Sequence, residues 1–138
     1  MLLTFENFCS GASGQLGNNS TSNQLVAVQV AGLLARPWRQ TIKHVSCGAY
    51  HTAVVSDDGR IFVWGSGGLG QLGLGNNEGK PVPAEVGGVL SDKRLTERRV
   101  VDLSCGAYHT AACTEDGRIF TWGLGGRLRF SKLSFPDK

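Results

Sequence analysis

The sequence predicts an all-β fold, a partial (truncated) β-propeller made of four-stranded antiparallel blades. Three observations support this prediction. A block of twenty residues recurs in the chain, short β-branched and aromatic segments are joined by Asp-Gly turns, and no long segment shows a helical period. A β-sheet unit that repeats at an interval of 58 residues is typical of propeller blades.

The repeat defines how the chain is organised. Residues 46–65 read SCGAYHTAVVSDDGRIFVWG and residues 104–123 read SCGAYHTAACTEDGRIFTWG, with fifteen of twenty aligned positions identical. A second block, residues 8–17, aligns with residues 64–73, and both end in GQLG. We therefore predict four segments: the end of a first repeat at 5–30, one complete repeat at 31–86, the start of a third at 87–123 and a divergent tail at 124–138.

Each repeat contains segments that favour β-strands. Residues 51–56 and 60–64 are apolar at successive positions rather than alternating, which favours strands covered on both faces. The Asp58-Gly59 pair between them favours a tight hairpin with a positive φ at the glycine. We expect residues 42–47 to form a further strand and residues 82–86 an outer fourth one, because a proline there cannot donate to a ladder and favours an edge.

Composition and charge limit the function classes. The chain has 138 residues, 41% of them hydrophobic, and 14 Lys and Arg against 11 Asp and Glu, which leaves a net charge of +3. This composition excludes a disordered chain, and the charge neither requires nor excludes a nucleic-acid partner. Four cysteines without CxxC spacing indicate reduced thiols. Since we find neither a signal sequence nor a membrane-spanning segment, we expect no membrane partner and a cytoplasmic or nuclear location.

The motifs of the repeat resemble those of the regulator of chromosome condensation repeat family. Units of that family contain CG-x-x-HT, then DG-x-x-F-x-WG, then GQLG. These motifs match residues 47–52, 58–65 and 70–73 in order, and the first two match again at 105–110 and 116–123. The resemblance implies a propeller of usually seven blades, used for guanine-nucleotide exchange on a small GTPase, for chromatin contact or for binding another protein.

One copy of this sequence is too short to close a propeller, which has about four to eight blades. The first repeat lacks the CG-x-x-HT hairpin, and after Gly123 the expected GQLG is replaced by LGGRLRF. Three interpretations stay open. The chain is a truncated piece of a longer propeller, or several copies build a ring, or it is a short arc that is stable alone or docked on a partner.

We find no residue pattern that predicts catalysis, a metal site or a cofactor site. Residues 65–70 satisfy G-x-G-x-x-G, but the glycine-rich segment after them is unsuited to begin the helix that a dinucleotide site requires. These glycines are expected to allow tight turns and close strand approach. His51 and His109 recur at equivalent positions, which favours a buried hydrogen-bonding role over catalysis.

Other recurring side chains are expected to build the blades. We expect the repeated cysteines, Cys47 and Cys105, to lie in the core, and the repeated tryptophans, Trp64 and Trp122, to pack between blades.

The connections between repeats are the candidate binding surface, because function tends to lie on the loops of a rigid scaffold. If the blades stack in register, both connections lie on one face, and Trp38 beside Arg39 offers an anchor for a partner. The candidate partner-binding residues are Arg36, Trp38, Arg39, Lys43, Lys93, Arg94, Arg98 and Arg99.

We therefore expect a non-enzymatic protein-interaction module of this repeat type. One alternative is guanine-nucleotide exchange on a small GTPase as part of a complete propeller, although the matching motifs build the blade and identify no exchange residue. Another is contact with chromatin or DNA through the basic connections, which would weaken steeply with salt.

Overall fold

The protein is described by a computed structural model that covers residues 12–32, 41–87 and 99–125. Seven strands lie in these residues: β1 (Ile42–Cys47), β2 (His51–Ser56), β3 (Ile61–Gly65), β4 (Lys80–Glu85), β5 (Val100–Cys105), β6 (His109–Thr114) and β7 (Ile119–Gly123). They form two antiparallel sheets, ordered β1-β2-β3-β4 and β5-β6-β7. The predicted all-β fold is confirmed, and none of the described residues belongs to a helix that could cross a membrane.

The two sheets are copies of one blade. The β2–β3 hairpin turns at Gly59 and the β6–β7 hairpin turns at Gly117. Both glycines have a positive φ, +82° and +81°. Glycine adopts this conformation without a steric penalty, so the Asp-Gly hairpin forms as predicted. The fourth strand begins at Lys80, two residues before the predicted start.

The fourth strand, β4, lies at the edge of the first sheet, as its prolines predict. Just beyond β4, the Val86 amide donates to the Ile61 carbonyl at 2.9 Å, so amides of alternate residues face β3. The Ala84 amide therefore faces β3, whereas the amide position of Pro83 faces away from it. A proline is tolerated at that position because no ladder hydrogen bond is lost.

The apolar core lies between the two blades. All six residues of β2 are buried, and Ala53, Val55 and Val63 of the first blade have no exposed surface. They belong to one cluster with Leu103 and Ala112 of the second blade. Each buried aliphatic side chain of the size of Val or Leu contributes about 1.5–3 kcal/mol. The core therefore holds the two blades together, and the expectation that strands are covered on both faces is confirmed for β2.

Equivalent positions of β1 and β5 differ in burial because the first blade covers β5, whereas no described blade covers the outer face of β1. Val45 is 66% exposed, and Leu103 at the same position of the next blade is 5% exposed. Cys47 is exposed and Cys105 is buried. The expectation that both cysteines lie in the core is therefore wrong for Cys47.

Candidate functional site

The glycine-rich loop of the first blade is bound to the second blade through one backbone carbonyl. The Gln71 carbonyl accepts hydrogen bonds from Thr110 Oγ1 at 2.8 Å and from Trp122 Nε1 at 2.9 Å. A Cβ on Gly73 would lie 2.7 Å from Trp122 Nε1, so the loop approaches the indole closely only because this residue is glycine. We call this arrangement the carbonyl clamp.

The same carbonyl clamp occurs one repeat earlier. The Gln15 carbonyl accepts from Thr52 Oγ1 at 2.9 Å and from Trp64 Nε1 at 2.8 Å, and a Cβ on Gly17 would lie 2.7 Å from that indole nitrogen. Both tryptophans therefore pack where consecutive repeats meet, as predicted. Because the clamp repeats with the sequence, consecutive repeats are held in the same relative position.

A third hydrogen bond joins the first blade to the second, in addition to the two that the Gln71 carbonyl accepts. His51 Nε2 lies 2.8 Å from Thr110 Oγ1. Since the Thr110 hydroxyl proton is donated to Gln71, Nε2 must be the donor to Thr110. Burial, with a smaller contribution from the charge of His109, lowers the pKa of His51 to about 4, so the ring is neutral at pH 7. The predicted buried hydrogen-bonding role is confirmed for His51.

The glycines of residues 65–70 have the predicted packing role. A Cβ on Gly67 would lie 2.0 Å from the Glu78 carbonyl oxygen, and Gly65 and Gly70 have φ values of +105° and +75°. No helix begins in residues 71–79, whose backbone consists of turns and bends. This loop therefore lacks the helix N-terminus at which a pyrophosphate would bind.

An exposed tyrosine, Tyr50, stacks on the half-buried Tyr108 at one end of the blades, which we call the tyrosine end. The rings of Tyr50 and Tyr108 lie 5.6 Å apart with an interplanar angle of 24°, and Tyr50 is 42% exposed. Hydrogen bonding to Tyr50 and the charge of its phenolate raise the pKa of Tyr108. We missed this pair in the sequence, although a tyrosine stands in both SCGAYHT blocks, 58 residues apart.

The opposite end carries the β2–β3 and β6–β7 turns and the starts of β1 and β5, and we call it the turn end. Lys43 is exposed near the start of β1, and Arg99 is exposed immediately before β5. A Cβ on Gly59 would lie 3.0 Å from the Arg99 Cα, so the turn of the first blade touches the start of the second. Six of the predicted residues fall outside the described residues: Arg36, Trp38, Arg39, Lys93, Arg94 and Arg98.

Charge at the turn end is mixed rather than uniformly basic. The Arg60 guanidinium pairs with the Glu85 carboxylate. The hydrogen bond to Glu85 and the negative charges of Glu85 and Asp58 raise the pKa of Arg60 above its usual value, although burial acts in the opposite direction. Arg118 Nε lies 3.2 Å from Asp116 Oδ2. Within the described ranges, we find no group of three or more His, Cys, Asp or Glu side chains that could hold a metal ion.

Comparison with known protein families identifies the repeat. A family model described as "Regulator of chromosome condensation (RCC1) repeat" matches residues 10–55 and 58–113. A second model with the same description matches residues 42–71 and 100–127. The chain belongs to the RCC1 repeat family. The carbonyl clamp and the His–Thr contact are therefore features of RCC1-type blades in this chain.

Individual proteins match this RCC1-repeat chain over most of its length. The X-linked retinitis pigmentosa GTPase regulator homolog of Caenorhabditis elegans is 37% identical in an alignment of 120 residues that covers 82% of this chain and 8% of that protein. Human WBSCR16 superimposes with a TM-score of 0.65 at 25% identity, over 82% of this chain and 27% of that structure. Yeast RCC1 (Prp20), solved bound to Kap60, gives 0.59 at 18% identity, over 83% and 26%. The chain spans about a quarter or less of these proteins, and the likeness confirms a partial propeller.

Proposed function

We propose that this RCC1-repeat chain is a non-enzymatic protein-interaction module that binds its partner through the turn end. The observation that carries the proposal is the repetition of the carbonyl clamp at Gln15 and Gln71. Because the clamp holds consecutive repeats in register, equivalent connections leave from the same end. Residues from two blades then form one composite surface on a rigid scaffold, the usual place for a binding site.

The mixed charge of the turn end supports a protein partner over DNA. The turns carry four acidic residues, and the basic candidates Lys43 and Arg99 lie beside them; the acids are Asp57, Asp58, Glu115 and Asp116. A phosphate backbone would be repelled by these carboxylates, whereas a protein surface of mixed charge can match both signs. Binding to chromatin or DNA is therefore the alternative, and an affinity that falls steeply as the salt concentration rises would favour it. Either partner class is compatible with a nuclear or cytoplasmic location.

Partner capture with matched surface variants tests this proposal. The full chain is immobilised as the native form, as Trp38→Ala with Arg39→Ala, and as Tyr50→Ser with Tyr108→Ser at the tyrosine end. We expect one or more proteins to be retained by the native form and by the tyrosine variant, and to be lost from the variant of Trp38 and Arg39. Binding of the purified partner is then measured directly, and circular dichroism checks that each variant keeps its β-sheet signal.

Two capture results would contradict the proposed surface. Equal retention by the variant of Trp38 and Arg39 and by the native form would remove these two residues from the binding site. Loss of the partner from the tyrosine variant alone would place the site at the stacked Tyr50 and Tyr108, which are the second candidate because tyrosines are common anchors in interfaces.

Guanine-nucleotide exchange on a small GTPase is the competing proposal. It is supported by the name of the C. elegans relative, a GTPase regulator homolog, of which this chain spans 8%. Release of a labelled guanine nucleotide from a panel of small GTPases, with this chain in catalytic amounts, distinguishes the two. We expect no acceleration, and reproducible acceleration for one GTPase would replace the interaction-module proposal.

A further inference from the structure

One nitrogen atom of the buried His51 ring has no hydrogen-bond partner among the described residues. Nε2 donates to Thr110 Oγ1 at 2.8 Å, whereas Nδ1 is unpaired in this part of the chain, although 0% of the residue is exposed. Most buried polar atoms are paired, so an exception needs a physical reason. In the neutral ring Nδ1 is the acceptor nitrogen, and a second proton would therefore bind there.

Residues 48–50 cover this nitrogen atom, and we call them the histidine lid. A Cβ on Gly48 would lie 2.6 Å from Nδ1, so the backbone rests directly on the ring only because this residue is glycine. Two backbone hydrogen bonds of 2.8 Å hold the lid in place. The Gly48 amide donates to the His51 carbonyl, and the Ser66 amide donates to the Tyr50 carbonyl. The closed lid therefore keeps water from Nδ1.

The histidine lid is joined to the second blade by two contacts between equivalent residues. A Cβ on Gly48 would lie 2.4 Å from the Gly106 carbonyl oxygen. The Tyr50 ring stacks on the Tyr108 ring, with 5.6 Å between the centroids. Residues 106–108 have the same sequence, GAY, as the lid. Water can therefore reach His51 from this side only if Tyr50 leaves Tyr108.

The strands beside His51 carry no carboxylate at its level in the described sheets. The ionisable side chains near it on these strands are one imidazole and two thiols, those of His109, Cys47 and Cys105. The other ionisable side chains of these strands lie level with Val55 or beyond it toward the turn end: Lys43, His44, Asp102 and Cys113. On the loop after β3, the Glu78 carboxylate is 70% exposed and pairs with Lys80.

A second proton on His51 would therefore be buried without a counter-ion on the neighbouring strands. Burial, together with the charge of His109, lowers the pKa of His51 to about 4. The Cys105 thiol stays neutral, because burial raises its pKa to about 11. Taking an unpaired charge out of water is costly, so the protonated ring is stable only where water reaches Nδ1.

We propose that the histidine lid is an acid-sensitive switch: a second proton on His51 opens residues 48–50 and separates Tyr50 from Tyr108, while both blades stay folded. Nε2 carries a proton in both forms of the ring, so the bond to Thr110 is kept when the lid opens. The apolar cluster farther along β2 contains no charged group and keeps the blades together. Protonation of one buried side chain thereby changes the shape of the tyrosine end.

Hydrogen exchange of two amides tests the switch in the full chain. The Gly48 amide is released when the lid opens, whereas the Val54 amide lies in the middle of β2. Each rate is measured by NMR and divided by the rate of an unstructured peptide at the same pH. Between pH 7 and pH 4 we expect the protection of Gly48 to fall about 100-fold relative to that of Val54. In His51→Gln, which gains no proton in this range, the ratio should change less than about threefold.

A substitution in the lid gives a second, independent readout. Tyr50→Ser removes the stack on Tyr108 and should let water reach the ring, which raises the pKa of His51 toward 6.5 by about one unit or more. Leu69→Ser is the matched control, because Leu69 is 44% exposed, close to the 42% of Tyr50, but is not part of the stack. NMR titration of the His51 ring measures the pKa in each variant.

Three results would overturn the proposal, and none depends on whether a partner protein is captured. Parallel loss of protection at Gly48 and Val54 would mean that acid unfolds the blade as a whole. The same loss at Gly48 in the native chain and in His51→Gln would assign the opening to another group. An equal pKa of His51 in the native chain and in Tyr50→Ser would mean that the lid does not control access to the ring.

Discussion

His51 and Thr110 join consecutive blades through a hydrogen bond of 2.8 Å between Nε2 and Oγ1. The hydroxyl proton of Thr110 is in turn directed to the Gln71 carbonyl, so an imidazole, a hydroxyl and a carbonyl form one chain across the boundary. All three groups are buried, and each has a fixed donor or acceptor role. The contact therefore requires the threonine hydroxyl and a proton on Nε2 of the histidine.

Replacement of Thr110 by valine should lower the stability of the fold by more than the loss of one hydroxyl group alone would. Thr110→Val keeps the side-chain shape but leaves the His51 Nε2 proton buried without an acceptor. An unsatisfied buried donor costs about 1–3 kcal/mol, and we expect the free energy of unfolding to fall by about 2 kcal/mol. Urea denaturation followed by tryptophan fluorescence measures this change.

Thr52→Val is the matched control for that experiment. Thr52 forms the same bond to a glutamine carbonyl, at 2.9 Å to Gln15, but no described histidine donates to its hydroxyl. The Gln15 carbonyl keeps its bond from Trp64, so we expect a loss of about 1 kcal/mol. Equal losses at the two threonines would show that the His51 contact contributes nothing.

Stability should decrease with acidification because His51 is buried in the neutral form. Its pKa is about 4 in the folded chain against 6.5 when exposed, so the unfolded state binds the proton more readily. The free energy of unfolding is therefore unaffected above pH 7 and falls as the pH decreases from 6.5 to about 4. The His51 contribution to this fall approaches about 3 kcal/mol.

Comparison with a variant isolates the histidine from other titrating groups. His51→Gln retains an amide donor that can reach Thr110 but has no proton to gain in this pH range. We expect the slope of unfolding free energy against pH between 4 and 6.5 to be shallower in this variant. The same slope in both proteins would mean that other groups cause the acid sensitivity.

Adjacent glycines of the loop after β3 should respond differently to alanine. A Cβ on Gly67 would lie 2.0 Å from the Glu78 carbonyl oxygen, whereas a Cβ on Gly68 meets no atom within 4 Å. Neither glycine has a positive φ, so the difference is purely one of space. We expect Gly67→Ala to lower the unfolding free energy by about 2 kcal/mol and Gly68→Ala to change it by less than about 0.5 kcal/mol. A thermal melt of each variant decides this, and similar losses would contradict the close approach.

The sequence predicts the blade well because the blade is local. The apolar strand segments and the Asp-Gly turns are determined by neighbouring residues, and a repeat with fifteen of twenty identical positions shows the order of the strands. Burial at the boundary between blades is different, since it depends on which blade lies in front. Cys47 and Cys105 stand in the same SCGAYHTA block and have opposite exposure for this reason.

The candidate surface shows the same distinction. Sequence spacing predicts that Lys43 and Arg99 share an end, but it does not show that the clamp through the Gln71 carbonyl holds them there, because a backbone acceptor leaves no sequence signal. The stacking of Tyr50 on Tyr108 likewise depends on the spacing between blades, which the repeat length alone does not provide.

Thiol reactivity provides a direct measurement of the boundary between blades. Burial raises the pKa of the Cys105 thiol to about 11, so very little thiolate is present at pH 8, and the surrounding core also blocks access. Cys47, at the equivalent position of β1, is exposed. We expect iodoacetamide at pH 8 and low protein concentration to alkylate Cys47 at least tenfold faster than Cys105, with both modified at similar rates in urea. Peptide mass spectrometry assigns each site, and equal rates in the folded chain would mean that the first blade does not cover β5.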